Sequence, residues 1–178
     1  MVYFTADLHL HHFKILQYCH RPFKNVEEMD AKITRNFLEI IKPTDTLYIL
    51  GDLSFERKIG KMFLSLFKKE QIRFIMGNHD EAFPKEFMRD YCKSCTEIKD
   101  IKVEGQKITL CHYPMISWRG SCHNTWSAHG HNHSNIVNEK FKGKRMNVCV
   151  DLHDFKPVSF EQMKEYMKGR ENNWDYEE

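Results

Sequence analysis

The chain has 178 residues, enough for one domain with a sizeable core. Its 27 lysines and arginines nearly balance 25 aspartates and glutamates, which speaks against a broad basic footprint for long nucleic acid. No stretch is apolar enough for a membrane span and no basic-then-apolar leader opens the chain, so a cytoplasmic protein with free thiols is expected, the lone Cys92–Cys95 pair having no second pair to complete a zinc site.

Val2 to Ala6 is a short apolar run that reads as a strand and leads into Asp7-Leu8-His9. In an extended stretch, residues two apart face the same way, so Asp7 and His9 can grip one cation. From Val26 to Ile41 the apolar residues Val26, Met29, Ile33, Phe37, Ile40 and Ile41 are spaced as on a helix, and Pro43 blocks its continuation. A strand over Thr46 to Leu50 runs into Gly51-Asp52, where a carboxylate can bridge two cations. Glu56 to Lys69 carries Ile59, Phe63, Leu66 and Phe67 on one side and reads as a second helix. A strand over Ile72 to Met76 delivers Gly77-Asn78-His79-Asp80. There Asn78 is a candidate oxygen ligand and His79 a candidate general acid, chemistry that imidazole suits near neutral pH.

The second half changes character. Thr96 to Val103 and Lys107 to Cys111 flank Glu104-Gly105-Gln106 as a hairpin, and the second strand leads into His112. Trp126 to Ala128 reads as a strand before Gly130-His131-Asn132-His133, and Met146 to Val150 as another. Ser159 and Gln162 form a capping-box pattern for a last helix through Lys168. The expected organisation is one domain over residues 1–170 with a polar tail over 171–178, and a mixed α/β fold with parallel pairing early and antiparallel pairing later.

Alone, Asp7-Leu8-His9, Gly51-Asp52 and His112 read most simply as turns or a satisfied polar residue, while Gly77-Asn78-His79-Asp80 and the paired His131 and His133 are evenly balanced between such a reading and a ligand. Together they place Asp, His and Asn at the ends of successive strands, where α/β sheets put ligand sites. Two carboxylates gathered there repel unless cations offset them. The donors are all nitrogen and oxygen, which suits two divalent ions: manganese, or iron, zinc, nickel or cobalt. Two such ions against Asp7, Asp52 and a bridging hydroxide leave about one net positive charge, which favours a phosphate anion.

The order Asp7-Leu8-His9, Gly51-Asp52, Gly77-Asn78-His79-Asp80, His112 and Gly130-His131-Asn132-His133 resembles the signature of the calcineurin-like metallophosphoesterases. His12, Arg21-Pro22-Phe23, His112-Tyr113-Pro114, Asn147-Val148 and Pro157-Val158-Ser159 further resemble a small phage and bacterial branch of that superfamily. The resemblance implies a sandwich of two β-sheets flanked by helices. It implies that Asp7, His9 and His133 hold one metal, that Asn78, His112 and His131 hold the second, that Asp52 bridges them, and that His79 is the catalytic histidine. Phe55 stands where the protein-phosphatase branch has the Asp that orients this histidine, which argues against a protein phosphatase and leaves the partner of His79 open, with Asp80 a neighbour that can point away.

The expected activity is attack on phosphorus by a metal-bridging hydroxide, most simply in a phosphodiesterase acting on a small soluble nucleotide-type ester. The alternatives are a phosphomonoesterase and a non-catalytic metal-binding scaffold. His12, Arg21 and Arg119 are the candidate substrate-binding residues, with Arg57 considered beside them. Trp118 and Trp126 can stack a base, although packing is the simpler role.

Overall fold

The computed structural model describes residues 1–173. The strands are β1 (Val2–Thr5), β2 (Thr46–Leu50), β3 (Ile72–Ile75), β4 (Ser94–Thr96), β5 (Ile98–Val103), β6 (Gln106–Cys111), β7 (Trp126–His129), β8 (Arg145–Asn147) and β9 (Val158–Ser159). The helices are α1 (Phe13–Tyr18), α2 (Val26–Ile40), α3 (Arg57–Leu64), α4 (Lys85–Tyr91), α5 (Ile136–Lys140) and α6 (Phe160–Lys168). One sheet has the order β4-β3-β2-β1-β9 and the other β5-β6-β7-β8.

Side-chain alternation explains the layering. Tyr3, Leu47, Ile49, Ile72 and Phe74 point to one face of the first sheet and pack against Val26, Met29, Ile33 and Phe37 of α2. Phe4, Leu50 and Ile75 point the other way and meet Ile108, Leu110, Trp126 and Ala128 of the second sheet. The first sheet is therefore buried on both faces, which suits its near-continuous apolar strands. Helix α6 carries Phe160, Met163 and Met167 into the core between the sheets. Its Ser159–Gln162 capping box is formed as expected, with Ser159 Oγ accepting from the Gln162 amide at 3.2 Å.

Three expectations change. The run read as one strand from Thr96 is two: β4 pairs with β3 in the first sheet, and β5 starts at Ile98 in the second. Only the β5–β6 hairpin is antiparallel in the second sheet, since β6–β7 and β7–β8 are parallel; the other antiparallel pair, β1–β9, lies in the first. The helix expected to reach Lys69 ends at Leu64 and is followed by a short 3-10 turn over Lys69–Gln71.

The short helices α1, α4 and α5 carried no clear periodic signal. Most of the expected tail, from residue 174 on, lies outside the described residues. Before it, Asn173 donates its backbone N–H to the Ser121 carbonyl at 3.1 Å. Among the described residues, no helix is long and apolar enough to cross a membrane.

Candidate metal centre

The parallel strands of both sheets end toward one edge. Asp7 follows β1, Asp52 follows β2, Asn78 and His79 follow β3, His112 follows β6, and His131 and His133 follow β7. The first two motifs interlock through the backbone: Asp7 N–H donates to the Gly51 carbonyl at 3.0 Å and His9 N–H to the Asp52 carbonyl at 2.9 Å. Asp7 and His9 do converge, but not through extended backbone. Both have left-handed φ, 58° and 48°, as do Asp52 at 56° and His131 at 67°. Asp and His adopt that region more readily than most residues, at a cost of about 1–3 kcal/mol each, and such strain clusters at functional sites. Between them Leu8 is fully buried in the helix-side core and anchors the turn.

Two glycines make room for the ligands. A Cβ on Gly77 would lie 2.4 Å from Asp52 Oδ1, and one on Gly51 would lie 2.5 Å from His112 Nδ1.

The donor atoms fall into two groups. In the first, ligand atoms of Asp7, His9 and His133 all lie within 4.8 Å of one another. In the second, Asn78 Oδ1 is 3.0 Å from His112 Nε2 and 3.0 Å from His131 Nδ1. Asp52 stands between them: its Oδ2 is 3.4 Å from His9 Nε2 and its Oδ1 is 3.6 Å from His112 Nε2. Ligand atoms held at about 2.0–2.2 Å from one ion and at right angles sit about 3 Å apart, which these spacings match.

The protonation pattern calls for cations. His112 Nδ1 lies 2.7 Å from the Leu50 carbonyl, an acceptor only, so Nδ1 carries the proton. In the neutral ring Nε2 then aims a lone pair at Asn78 Oδ1, which is also an acceptor. Both ring nitrogens of His9 are buried without a hydrogen-bond partner. Burial first, then the charge of His133 and Arg21, push His9 down to about 2, so it is a neutral imidazole with a lone pair to give. Burial raises Asp7 to about 6, with His112 and His133 opposing and Asp52 adding to the rise. Orphaned imidazoles facing buried carboxylates fit a pair of divalent ions, held by Asp7, His9 and His133 on one side and by Asn78, His112 and His131 on the other, with Asp52 between.

His79 is exposed at the rim. Its backbone N–H donates to Asp52 Oδ1 at 3.0 Å, and its ring lies 4.8 Å from Phe55 and 5.8 Å from His9, centroid to centroid. Asp80 is turned away from it. The Asp80 carboxylate is fully buried and accepts the backbone N–H groups of Asp52 at 2.9 Å, Leu53 at 3.0 Å and Gly77 at 2.7 Å. It is the tie between the two loops that carry Asp52 and Asn78. Asp80→Ala leaves those amides unpaired at about 1–3 kcal/mol each, so urea denaturation should show a loss of about 3 kcal/mol or more. A midpoint shift worth under about 1 kcal/mol would refute this role.

The candidate substrate residues separate. His12 belongs to the site, with its ring 5.5 Å from His9 and edge-on to Phe55 at 4.4 Å. Arg21 is corrected: it is 4% exposed and lies behind the centre, its guanidinium spent on Asp151 and on the carbonyls of Asp7 at 2.7 Å and Leu8 at 2.8 Å. Arg119 is corrected as well. It lines a separate cleft with Lys102, Lys107 and Asn124, beside the starts of β6 and β7, away from the strand ends that carry the ligands. Arg57 donates to the Ala82 carbonyl at 2.7 Å and stacks on Phe87. Trp118 and Trp126 are both 7% exposed and serve packing.

Of the other histidines near strand ends, His11 faces Asp30 on α2 and His129 is held by the Gly130 carbonyl and Asn138. Two residues that are not among the site candidates read from sequence prove important. Asn147 Nδ2 donates to the carbonyls of Asn132 and Ser134, bracing the backbone on either side of His133. Asp151 Oδ2 lies 2.7 Å from His133 Nδ1. Nothing in the run Asp151-Leu152-His153-Asp154 distinguishes that acid from a surface one.

Comparison with known proteins agrees with this geometry. A family model described as calcineurin-like phosphoesterase matches residues 1–176. The chain is 34% identical over 166 residues to the uncharacterized protein MJ1445 of Methanocaldococcus jannaschii, covering 90% of this chain and 87% of that one. It is 25% identical to the gene 66 protein of Mycobacterium phage D29, covering 88% of this chain and 92% of that one. Among solved structures, a protein of unknown function from Aquifex aeolicus, AQ665, superposes with a TM-score of 0.73 at 28% identity over 93% of this chain and 98% of that chain. With the family model spanning both sheets and the whole Asp, Asn and His cluster, the chain belongs to the calcineurin-like phosphoesterases, hydrolases whose chemistry depends on bound metal ions.

Proposed function

We propose that the protein is a dinuclear metal-dependent phosphodiesterase acting on a small ester with an aromatic or nucleobase-bearing leaving group. The observation that carries the two-metal part is Asp52, whose two carboxylate oxygens face ligand histidines of different groups, His9 and His112. Bound divalent ions supply water activation and neutralise charge building on the phosphoryl oxygens. Manganese is the ion proposed; the all-nitrogen-and-oxygen donor set accommodates it, as it does iron, zinc, nickel or cobalt.

The surroundings support the diester. A monoester dianion is best met by a guanidinium fork, and a singly charged diester needs less. Arg21, Arg57 and Arg119 are each engaged or placed elsewhere. What rims the centre is aromatic: Phe55, 45% exposed, beside His9, His12 and His79, and Tyr113, 46% exposed, edge-on to His112 and His131. Such rings favour a flat apolar leaving group. His79, at the rim between Phe55 and Asp52, would pass a proton to the leaving oxygen.

The test is hydrolysis of bis-p-nitrophenyl phosphate and p-nitrophenyl phosphate side by side, after chelation and after adding Mn2+. The diester should be the faster substrate, with activity only in the metal-loaded protein. A faster monoester would make it a phosphomonoesterase. Turnover of neither by protein that binds two ions would point to a non-catalytic scaffold.

A further inference from the structure

The Asp151 carboxylate is saturated by donors. Its Oδ1 accepts from Arg21 Nε at 2.7 Å, and its Oδ2 accepts from Arg21 Nη2 at 2.8 Å and from the Cys149 thiol at 3.1 Å. The fourth neighbour is His133 Nδ1, at 2.7 Å from Oδ2. A carboxylate paired two-fold with a buried guanidinium stays ionised and has no proton to give, so the contact forms only if His133 donates from Nδ1. A neutral His133 then carries its lone pair on Nε2, the nitrogen facing Asp7 Oδ1 at 4.0 Å. Two ligands held at about 2.0–2.2 Å from one ion stand roughly 3–4 Å apart. The same Arg21 also holds the Asp7 carbonyl. One buried cation thus braces two of the three residues grouped around the first ion.

We infer that Asp151, clamped by Arg21, is a positioning residue that fixes the His133 tautomer and aims Nε2 at the metal ion shared with Asp7 and His9. The inference rests on the two-metal reading above. Partners behind a ligand histidine orient the ring and raise its donor strength, and losing one typically weakens metal binding about 10–100-fold. His112 has a neutral acceptor in the equivalent place, the Leu50 carbonyl. The effect of losing Asp151 should therefore fall on one ion and spare the other. Cys19 also lies within ligand reach of His133 and Asp151, so the competing arrangement is an ion held by those three residues.

The test titrates Mn2+ calorimetrically into the unmodified protein, Asp151→Asn and Cys19→Ser, with folding checked by circular dichroism. Nitrogen-resolved NMR of the histidine rings is then recorded on zinc-loaded protein. The unmodified protein should take up two Mn2+ and show His133 protonated on Nδ1 and metal-bound through Nε2. Asp151→Asn should keep one site at full affinity, weaken the other about 10–100-fold and lose that ring pattern. Cys19→Ser should change neither. Should Asp151→Asn not fold, Arg21→Lys, which breaks the fork but keeps the charge, must show the same one-site weakening. Asp151→Asn binding both ions at full affinity, metal on His133 Nδ1, or a metal lost with Cys19→Ser would each overturn the inference. An unmodified protein that binds no Mn2+ would instead overturn the two-metal reading itself.

Discussion

Asp52→Asn should remove essentially all phosphoesterase activity, by about 10³-fold or more in kcat/KM, and reduce Mn2+ binding from two ions toward one. The expectation follows from how little else the substitution disturbs. Asn tolerates the left-handed backbone that Asp52 adopts, and its carbonyl oxygen can still accept the His79 N–H. What changes is the second oxygen. An amide NH2 in its place would face His9 Nε2, now 3.4 Å from Oδ2, and offer that lone pair a proton where a cation is needed. The negative charge that would serve both proposed ions also disappears. The variant should stay folded, since the loop tie runs through Asp80 and the backbone. A variant that keeps activity within about tenfold would show that Asp52 does not bridge.

His79→Ala should behave differently: kcat falls about 10²–10⁴-fold while both ions remain. Among the described residues no hydrogen bond joins the His79 ring to the ligand set, and the contact it makes with Asp52 is through the backbone N–H, which alanine keeps. The loss should be largest for esters with a poor leaving group and smaller for p-nitrophenolate, which departs with little help from an acid. Rates across a leaving-group series, with metal content measured on the same samples, decide it. Metal lost in step with activity would make His79 a structural residue.

The strands and the candidate ligand motifs were legible for one reason: parallel strands buried on both faces are short apolar runs, and each run stops where such a motif begins. Phe4 and Leu50 on one face and Tyr3 and Ile49 on the other leave a period-two record that sequence preserves. The β4–β5 break was hidden because consecutive strand-forming residues cross from one sheet to the other at Glu97, with no glycine or proline to mark it. The short helices α1, α4 and α5 span too few turns to show a period. The pairing of Arg21 with Asp151 was hidden because ion pairs 130 residues apart leave no local trace. For the same reason Arg21 read as a residue for substrate when it is one for architecture. The convergence of Asp7 and His9 was legible, but the left-handed turns that produce it were not.

Those turns limit how such a site can decay. A descendant released from catalysis would still have to satisfy φ values of 58°, 48°, 56° and 67° at positions 7, 9, 52 and 131. Drift at these positions should therefore run toward asparagine and glycine, which accept that backbone, and away from valine and isoleucine, which do not. Asn at position 7 or 52, or Gly at 9 or 131, would mark a lineage that kept the fold and gave up the metal. A β-branched residue there would mark a loop that had been rebuilt.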